Sequence, residues 1–356
     1  MYLLLLPTQD PRPGVKIRTR LYEIDFTGTI LIGGALISGI MAISFGGAIY
    51  AWDSGSIIAL FVCSGVLWIL FVTQQTLCFC TNETRRLFPL EMAKSYEMVL
   101  LFILTACSIT SCFLPIYFVP LYFQFAISDS ALGAAVRLLP FVFVLVSAVI
   151  FNGVLMGKIG YYKPFFLTGA ILVLTGSSLM YTLDLNSGSG KVYGYSAILA
   201  LGTGLFSQAS FPVAQAKVES NLVSAATAFI GCAQIGGLTI ALSIANSIFI
   251  NVATNKISAI LPNMDLVSVR QAISGAKGDL FQGLTASQKM GVLEAIVSSI
   301  QKVYIMVIAA GALAVISSVF MKGGNLFFEP ESNSPSGSEA NPSMVSPRAE
   351  EERSEK

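Results

Sequence analysis

Asn152, Ser207, Gln208, Gln215, Gln234 and Asn246 are neutral polar side chains inside long, largely apolar stretches. Their chemistry is hydrogen bonding without charge. An amide buried in hydrocarbon without a partner costs about 2–7 kcal/mol. Each of these groups must therefore meet another helix or a polar cavity. The first role is interhelical glue, worth about 0.6 kcal/mol on average. The second is contact with a moderately polar organic substrate. Asn152, Ser207, Gln208 and Gln234 form the candidate substrate-binding set. Gln208 and Gln234 lead it, because each sits well inside a glycine-bearing apolar run.

Other chemistry is excluded by what the sequence lacks. There is no histidine among the 356 residues. Histidine triads, histidine–metal sites and imidazole proton relays are therefore ruled out. The six cysteines include Cys78 and Cys80 as a C-x-C pair, with no second pair nearby. Neither a zinc site nor a disulfide framework fits that spacing. No catalytic residues, metal or cofactor are expected, and the chain does not read as an enzyme. Net charge is +1, so the bulk field offers nothing to nucleic acid.

The elements that position the amides follow from composition. Charged residues make up 12% of the chain, hydrophobic ones 54%, and mean hydropathy is +0.73. A soluble domain carries about 25% charged residues. The partner of this surface is a lipid bilayer. A spanning helix needs about 20 apolar residues. The qualifying runs are Thr27–Phe45, Gly55–Thr73, Met98–Phe118, Leu138–Gly157, Pro164–Leu183, Val192–Ala216, Leu222–Ile250 and Val303–Met321, none with a formal charge. They do not alternate as membrane β-strands do. The fold class is an all-α, multi-pass membrane protein with about eight transmembrane helices.

Orientation follows the basic residues of the short loops. Arg12, Lys16, Arg18 and Arg20 precede the first span. Arg85, Arg86 and Lys94 follow the second, Lys158 and Lys163 the fourth, and Lys217 the sixth. Both termini are expected in the cytoplasm, with Asn82 of the Asn82-Glu-Thr84 sequon there and bare. The opening MYLLLL lacks a basic n-region and is not read as a cleaved signal. It looks like the end of an earlier hydrophobic segment. Residues 251–302 form a long outer connection, with helical spacing over Met264–Ala276 and Ser287–Gln301. Thr285 and Gln288 fit a capping box. The tail, 322–356, turns rich in Ser, Pro, Glu and Asn and reads as disordered.

One short motif joins the fourth and fifth spans: Gly153-Val-Leu155-Met-Gly-Lys158-Ile-Gly160. Gly153 would allow close helix approach, and Gly160 a backbone reversal. Lys158 and Lys163 can meet helix C-termini, and Pro164 opens the next helix. This motif resembles the loop signature of the major facilitator superfamily in its second-half form. Ile24–Gly47, Phe113–Gln124, Ser130–Pro140 and Gln208–Val218 add ordered segments similar to the fungal fourteen-span drug:proton antiporter branch. The resemblance covers Pro7 to Met321. It implies a cytoplasmic segment 1–26, two linker helices in 27–73, and a six-helix transporter half in 98–321.

It further implies a transporter in the plasma membrane that expels drugs, toxins or small organic metabolites by alternating access, exchanging them for protons. The family's first six spans are not in this sequence. Its acidic loop residue and proton-titrating carboxylates would lie there, and Gly157 stands in the acidic position here. The alternative implied is a non-transporting remnant, or a half-transporter that needs a partner half. Among the remaining residues, Pro115 and Pro120 should kink the third span. Tyr117, Phe118, Tyr122 and Phe123 should form an interfacial belt or line a cavity. Gly202, Gly204, Gly231, Gly236 and Gly237 should serve close packing, and Arg137 should pair with Asp129 or anchor the surface.

Overall fold

The computed structural model describes residues 24–47, 49–79, 81, 87–262, 264, 269–270, 273 and 284–324. The N-terminal segment, Asn82, most of Met264–Ala276 and the tail beyond 324 lie outside them. Among the described residues there are eleven helices and no strand beyond an isolated bridge between Gly46 and Tyr50. They are α1 (Phe26–Phe45), α2 (Gly55–Leu77), α3 (Leu90–Lys94), α4 (Tyr96–Ala126), α5 (Ala131–Arg137), α6 (Leu139–Ile159), α7 (Lys163–Tyr181), α8 (Ser189–Phe206), α9 (Ser210–Ala216), α10 (Val223–Ile260) and α11 (Ala286–Phe320). Helix is the form these runs must take, because lipid offers no partner to a backbone N–H or C=O. Counting α5 with α6 and α8 with α9, eight are long and apolar enough to cross a membrane.

Local chemistry sets the ends. Ser54 caps α2 through the Ile57 N–H at 3.4 Å, and Ser130 caps α5 through Gly133 at 3.1 Å. The capping box at α11 is present. Gln288 N–H donates to Thr285 Oγ1 at 3.3 Å, and Thr285 N–H donates to Gln288 Oε1 at 3.0 Å. α4 runs unbroken through Pro115 and Pro120. α10 and α11 hold 38 and 35 residues. At ~1.5 Å per residue each exceeds 50 Å, well past the ~30 Å core. α10 continues through 251–260 because that stretch is amphipathic: Ala253, Thr254 and Ile257 are buried, while Asn255 and Lys256 are exposed.

α4 is the centre of the packing, against α10, α11, α8 and α9. α7 lies between α8 and α11, and α6 rests on α8. α1 and α2 pack on each other, and α1 rests on α10. α2 and α6 keep most of their apolar surface uncovered. Ile69 and Phe143 are 66% and 69% exposed. Faces of that size mark lipid or protein contact.

A buried carboxylate joins α1 to α2. Asp25 caps α1, accepting from Gly28 N–H at 2.7 Å. It also accepts from Gln75 Nε2 at 2.7 Å and Gln74 Nε2 at 3.2 Å. Burial works against its charge. The Gly28 N–H, the two amides and the Leu87 backbone outweigh it and hold its pKa below the ordinary carboxylate range. A depressed pKa means the folded state gains stability from the ionised form above the unfolded pKa. That gain is lost as pH falls below about 4, through the lowered value. Asp25→Ala strands two amide donors and removes a cap. It is expected to cost about 2–3 kcal/mol and to flatten the acid limb of thermal stability measured in detergent.

Candidate functional site

The sixth span is interrupted. α8 stops at Phe206, residues 207–209 form a turn, and α9 resumes at Ser210. The cause lies three residues into α9. Pro212 has no N–H for the Gln208 carbonyl, and its ring crowds that same carbonyl. The helix expected over Val192–Ala216 therefore loses its regular hydrogen bond at Gln208, while Ser207 and Ala209 keep right-handed helical dihedrals. The Gln208 side chain is exposed, whereas Ser207 and Ser210 are buried. Broken backbone at membrane depth is tolerated where it is packed in protein or lines a watered cavity.

Hydroxyls gather around the break. Thr203 donates to Ser111 Oγ at 3.2 Å, joining α8 to α4. An odd span and an even span run antiparallel. That contact therefore continues as Ser108 at the level of Ser207, and Thr105 at the level of Ser210. All six are buried, and Ser210 Oγ has no hydrogen-bond partner among the described residues. On the other side, a Cβ at Gly204 would lie 2.5 Å from Ala148 Cβ and 2.7 Å from the Leu145 carbonyl. α6 and α8 are both even spans and run parallel, so one turn further Asn152 reaches the level of Gln208. Asn152 is 3% exposed, and its Oδ1 has no partner among the described residues. Asn152, Ser207 and Gln208 thus share one level of the bundle.

Gln234 stands apart from them. It is half-buried on α10, one turn from Gly237, whose Cβ would lie 3.1 Å from Ala106 Cα on α4. Gln215 donates to Thr227 Oγ1 at 3.0 Å and is interhelical glue.

The loop motif is partly as expected. Gly160 ends α6 with φ 78°, and its N–H donates to the Met156 carbonyl at 2.9 Å. Leu155 packs half-buried against the core. Lys158 is exposed in the last turn of α6, and Lys163 Nζ donates to the Val319 carbonyl of α11 at 3.0 Å. Gly153 differs: it is exposed, with nothing within 4 Å of an added Cβ. The same open space surrounds Gly231 and Gly236, while Gly202, Gly204 and Gly237 do serve close packing. Phe118, Tyr122 and Phe123 are buried in the bundle and form no interfacial belt; Tyr117 alone of the four faces outward.

Two ionic clamps close the ends of this bundle. Arg137 pairs with Asp129, as the sequence suggested. It also donates to Ser189 Oγ at 3.2 Å and Tyr193 Oη at 3.4 Å, with its guanidinium 5.0 Å from the Phe123 ring centre. At the opposite end Lys217, just past α9, pairs with Glu97 in the first turn of α4. Its ammonium lies 5.2 Å from the Tyr162 ring centre. Burial opposes the ammonium, but Glu97 and Tyr162 prevail and raise its pKa. Sequence reading missed this clamp because the partners are 120 residues apart. Asp25 was missed because it precedes its span by a single position. Among the described residues, Asp, Glu, Lys and Arg lie outside the eight apolar runs, which hold neutral polar groups.

No family model matches the chain. Individual proteins do. It is 47% identical over 337 residues to "MFS-type transporter pgmG" of Aspergillus terreus, covering 95% of this chain and 58% of that protein. It is 40% identical over 332 residues to "Efflux pump alnA" of Emericella nidulans, 92% of this chain and 60% of the relative. The "Phomenoic acid biosynthesis cluster MFS-type transporter" of Leptosphaeria maculans is 38% identical over 337 residues, 90% and 54%. The chain thus spans less than two thirds of the length of these relatives. With eight apolar helices in one packed bundle, the chain is similar along nearly all of its own length to proteins named as MFS-type transporters.

Proposed function

We propose that this chain is part of an efflux transporter that expels small organic molecules by alternating access, in exchange for protons. Residues 27–73 are its linker pair and 98–321 one six-helix half, with both termini in the cytoplasm and the plasma membrane as the site of action. The observation that carries this reading is the break at 207–209. A proline in an apolar span interrupts its hydrogen-bond ladder, so that the Gln208 carbonyl has no i+4 N–H donor and its amide is exposed, level with buried Asn152. Such discontinuities serve binding sites near the membrane mid-plane. The names of the relatives, transporter and efflux pump, support the direction of transport. One is named for a biosynthesis cluster, which supports an organic metabolite as cargo. Asn152, Ser207, Gln208 and Gln234 offer cargo amides and hydroxyls but no titrating group. In this reading the proton carrier belongs to helices that complete the transporter. The second reading is a half that does not transport without a partner half; its support is the share of the relatives' length that the chain spans.

The test is flux. Purified protein reconstituted in liposomes together with the first six helices of a relative, given a proton gradient, is expected to move a lipophilic fluorescent dye against its concentration gradient, and a protonophore is expected to stop it. Movement with that partner half but none by this chain alone would support the second reading, and no movement in either case would contradict the first.

A further inference from the structure

One buried hydroxyl takes no part in the site above. Tyr304 of α11 is 2% exposed, and its Oη has no hydrogen-bond partner among the described residues. It faces a cavity shared by Tyr122 of α4 and Gln301 of α11, closed by apolar side chains of α4, α7, α8 and α11. The space open to the centre of a water molecule is about 10 Å³, which is room for one water and nothing larger.

The polar rim suits that occupant. Tyr122 Oη donates to the Asp184 carbonyl at 2.8 Å, which leaves its own lone pair pointing elsewhere. Gln301 Nε2 donates to the Leu183 carbonyl, which leaves its Oε1 as an acceptor. Tyr304 Oη can donate or accept. A buried water makes about 3 hydrogen bonds on average, and these three groups can supply them. An entry path exists as well. Gln301 and Val297 also line a neighbouring cleft of about 300 Å³ with Asp184, Asn186 and Glu294. The carboxylates of Asp184 and Glu294 keep that cleft wet, and Gln301 stands between it and the cavity.

We infer that Tyr304, Gln301 and Tyr122 bind one internal water molecule, which pins α11 to α4 and to the turn before α8. It supplies the partner that the protein denies Tyr304. The inference does not depend on the transport reading.

X-ray radiolytic labelling of the purified protein in detergent, read by mass spectrometry, tests it. Hydroxyl radicals made from a bound water oxidise the side chain beside it even when bulk solvent cannot reach. After correction for intrinsic reactivity, Tyr304 is expected to be oxidised several-fold faster than Phe166, whose side chain is apolar and fully buried. Tyr304→Phe removes one partner of the water and is expected to lower the melting temperature. Labelling of Tyr304 at the Phe166 rate overturns the inference. So does a Tyr304→Phe protein that melts higher than wild type, the sign of an orphan hydroxyl relieved. If the variant does not fold, the wild-type labelling decides.

Discussion

Gly202→Val is expected to abolish folding of the bundle. A Cβ at Gly202 would lie 2.6 Å from the backbone nitrogen of Val173, 2.7 Å from Leu172 Cβ and 2.8 Å from the Gly169 carbonyl. The first and last are main-chain atoms of α7, which cannot rotate away as a side chain can. α7 and α8 would have to separate. Gly176, with Leu199 N at 2.6 Å from its Cβ position, pins the same pair a little further along. Overpacking a tight core costs about 1–3 kcal/mol, and valine adds three carbons to a site without room for one. With three clashes, two of them against main-chain atoms, the cost lies above that typical range, against a total of only about 5–15 kcal/mol. Size-exclusion of a fluorescent fusion should show the symmetric peak replaced by aggregate. Gly236→Ala is the control. Nothing lies within 4 Å of its Cβ position, so the peak should remain. Equal behaviour of the two variants would mean that α7 and α8 do not meet as described.

These two glycines also show where sequence reading succeeds. The eight apolar runs were legible because lipid imposes one rule on every backbone group, and the structure extends most of them by whole turns. Gly202 and Gly236 both lie in such runs, yet only one touches a neighbour. A glycine's neighbours depend on which helix faces it, and that is tertiary information. The break at Gln208 was within reach: Pro212 stands four residues after it, and the helix rule predicts the conflict. The composition of the run, apolar on both sides, concealed it. The Glu97–Lys217 clamp was out of reach, since no local pattern links residues at opposite ends of two spans. Asn152, Ser207 and Gln208 were legible as polar groups in apolar surroundings. That they share a level came only from the register of α8 against α4 and α6.

Gln208 carries the second large prediction. Its backbone carbonyl has no helical donor, because residue 212 is proline. Its side chain is exposed on an otherwise apolar segment. If that surface met lipid, a carbonyl and an amide would lie unpaired in hydrocarbon, at about 2–7 kcal/mol each by transfer scales. The Lys217–Glu97 ion pair does not compensate for them, since it lies at the far end of α9. The arrangement is stable when water reaches the break. The account as a whole therefore rests on a watered route past residues 207–209.

Thiol chemistry measures this directly. A thiol reacts as its thiolate, which forms in water and is suppressed in an apolar medium. The measurement is the reaction rate of Gln208→Cys with a membrane-impermeant methanethiosulfonate in proteoliposomes, against Ile69→Cys on the exposed apolar face of α2 and against the native cysteines alone. Residue 208 is expected to react at least about tenfold faster than residue 69. A Gln208→Cys protein that remains folded but reacts no faster than Ile69→Cys would contradict the account, for the break would then face lipid.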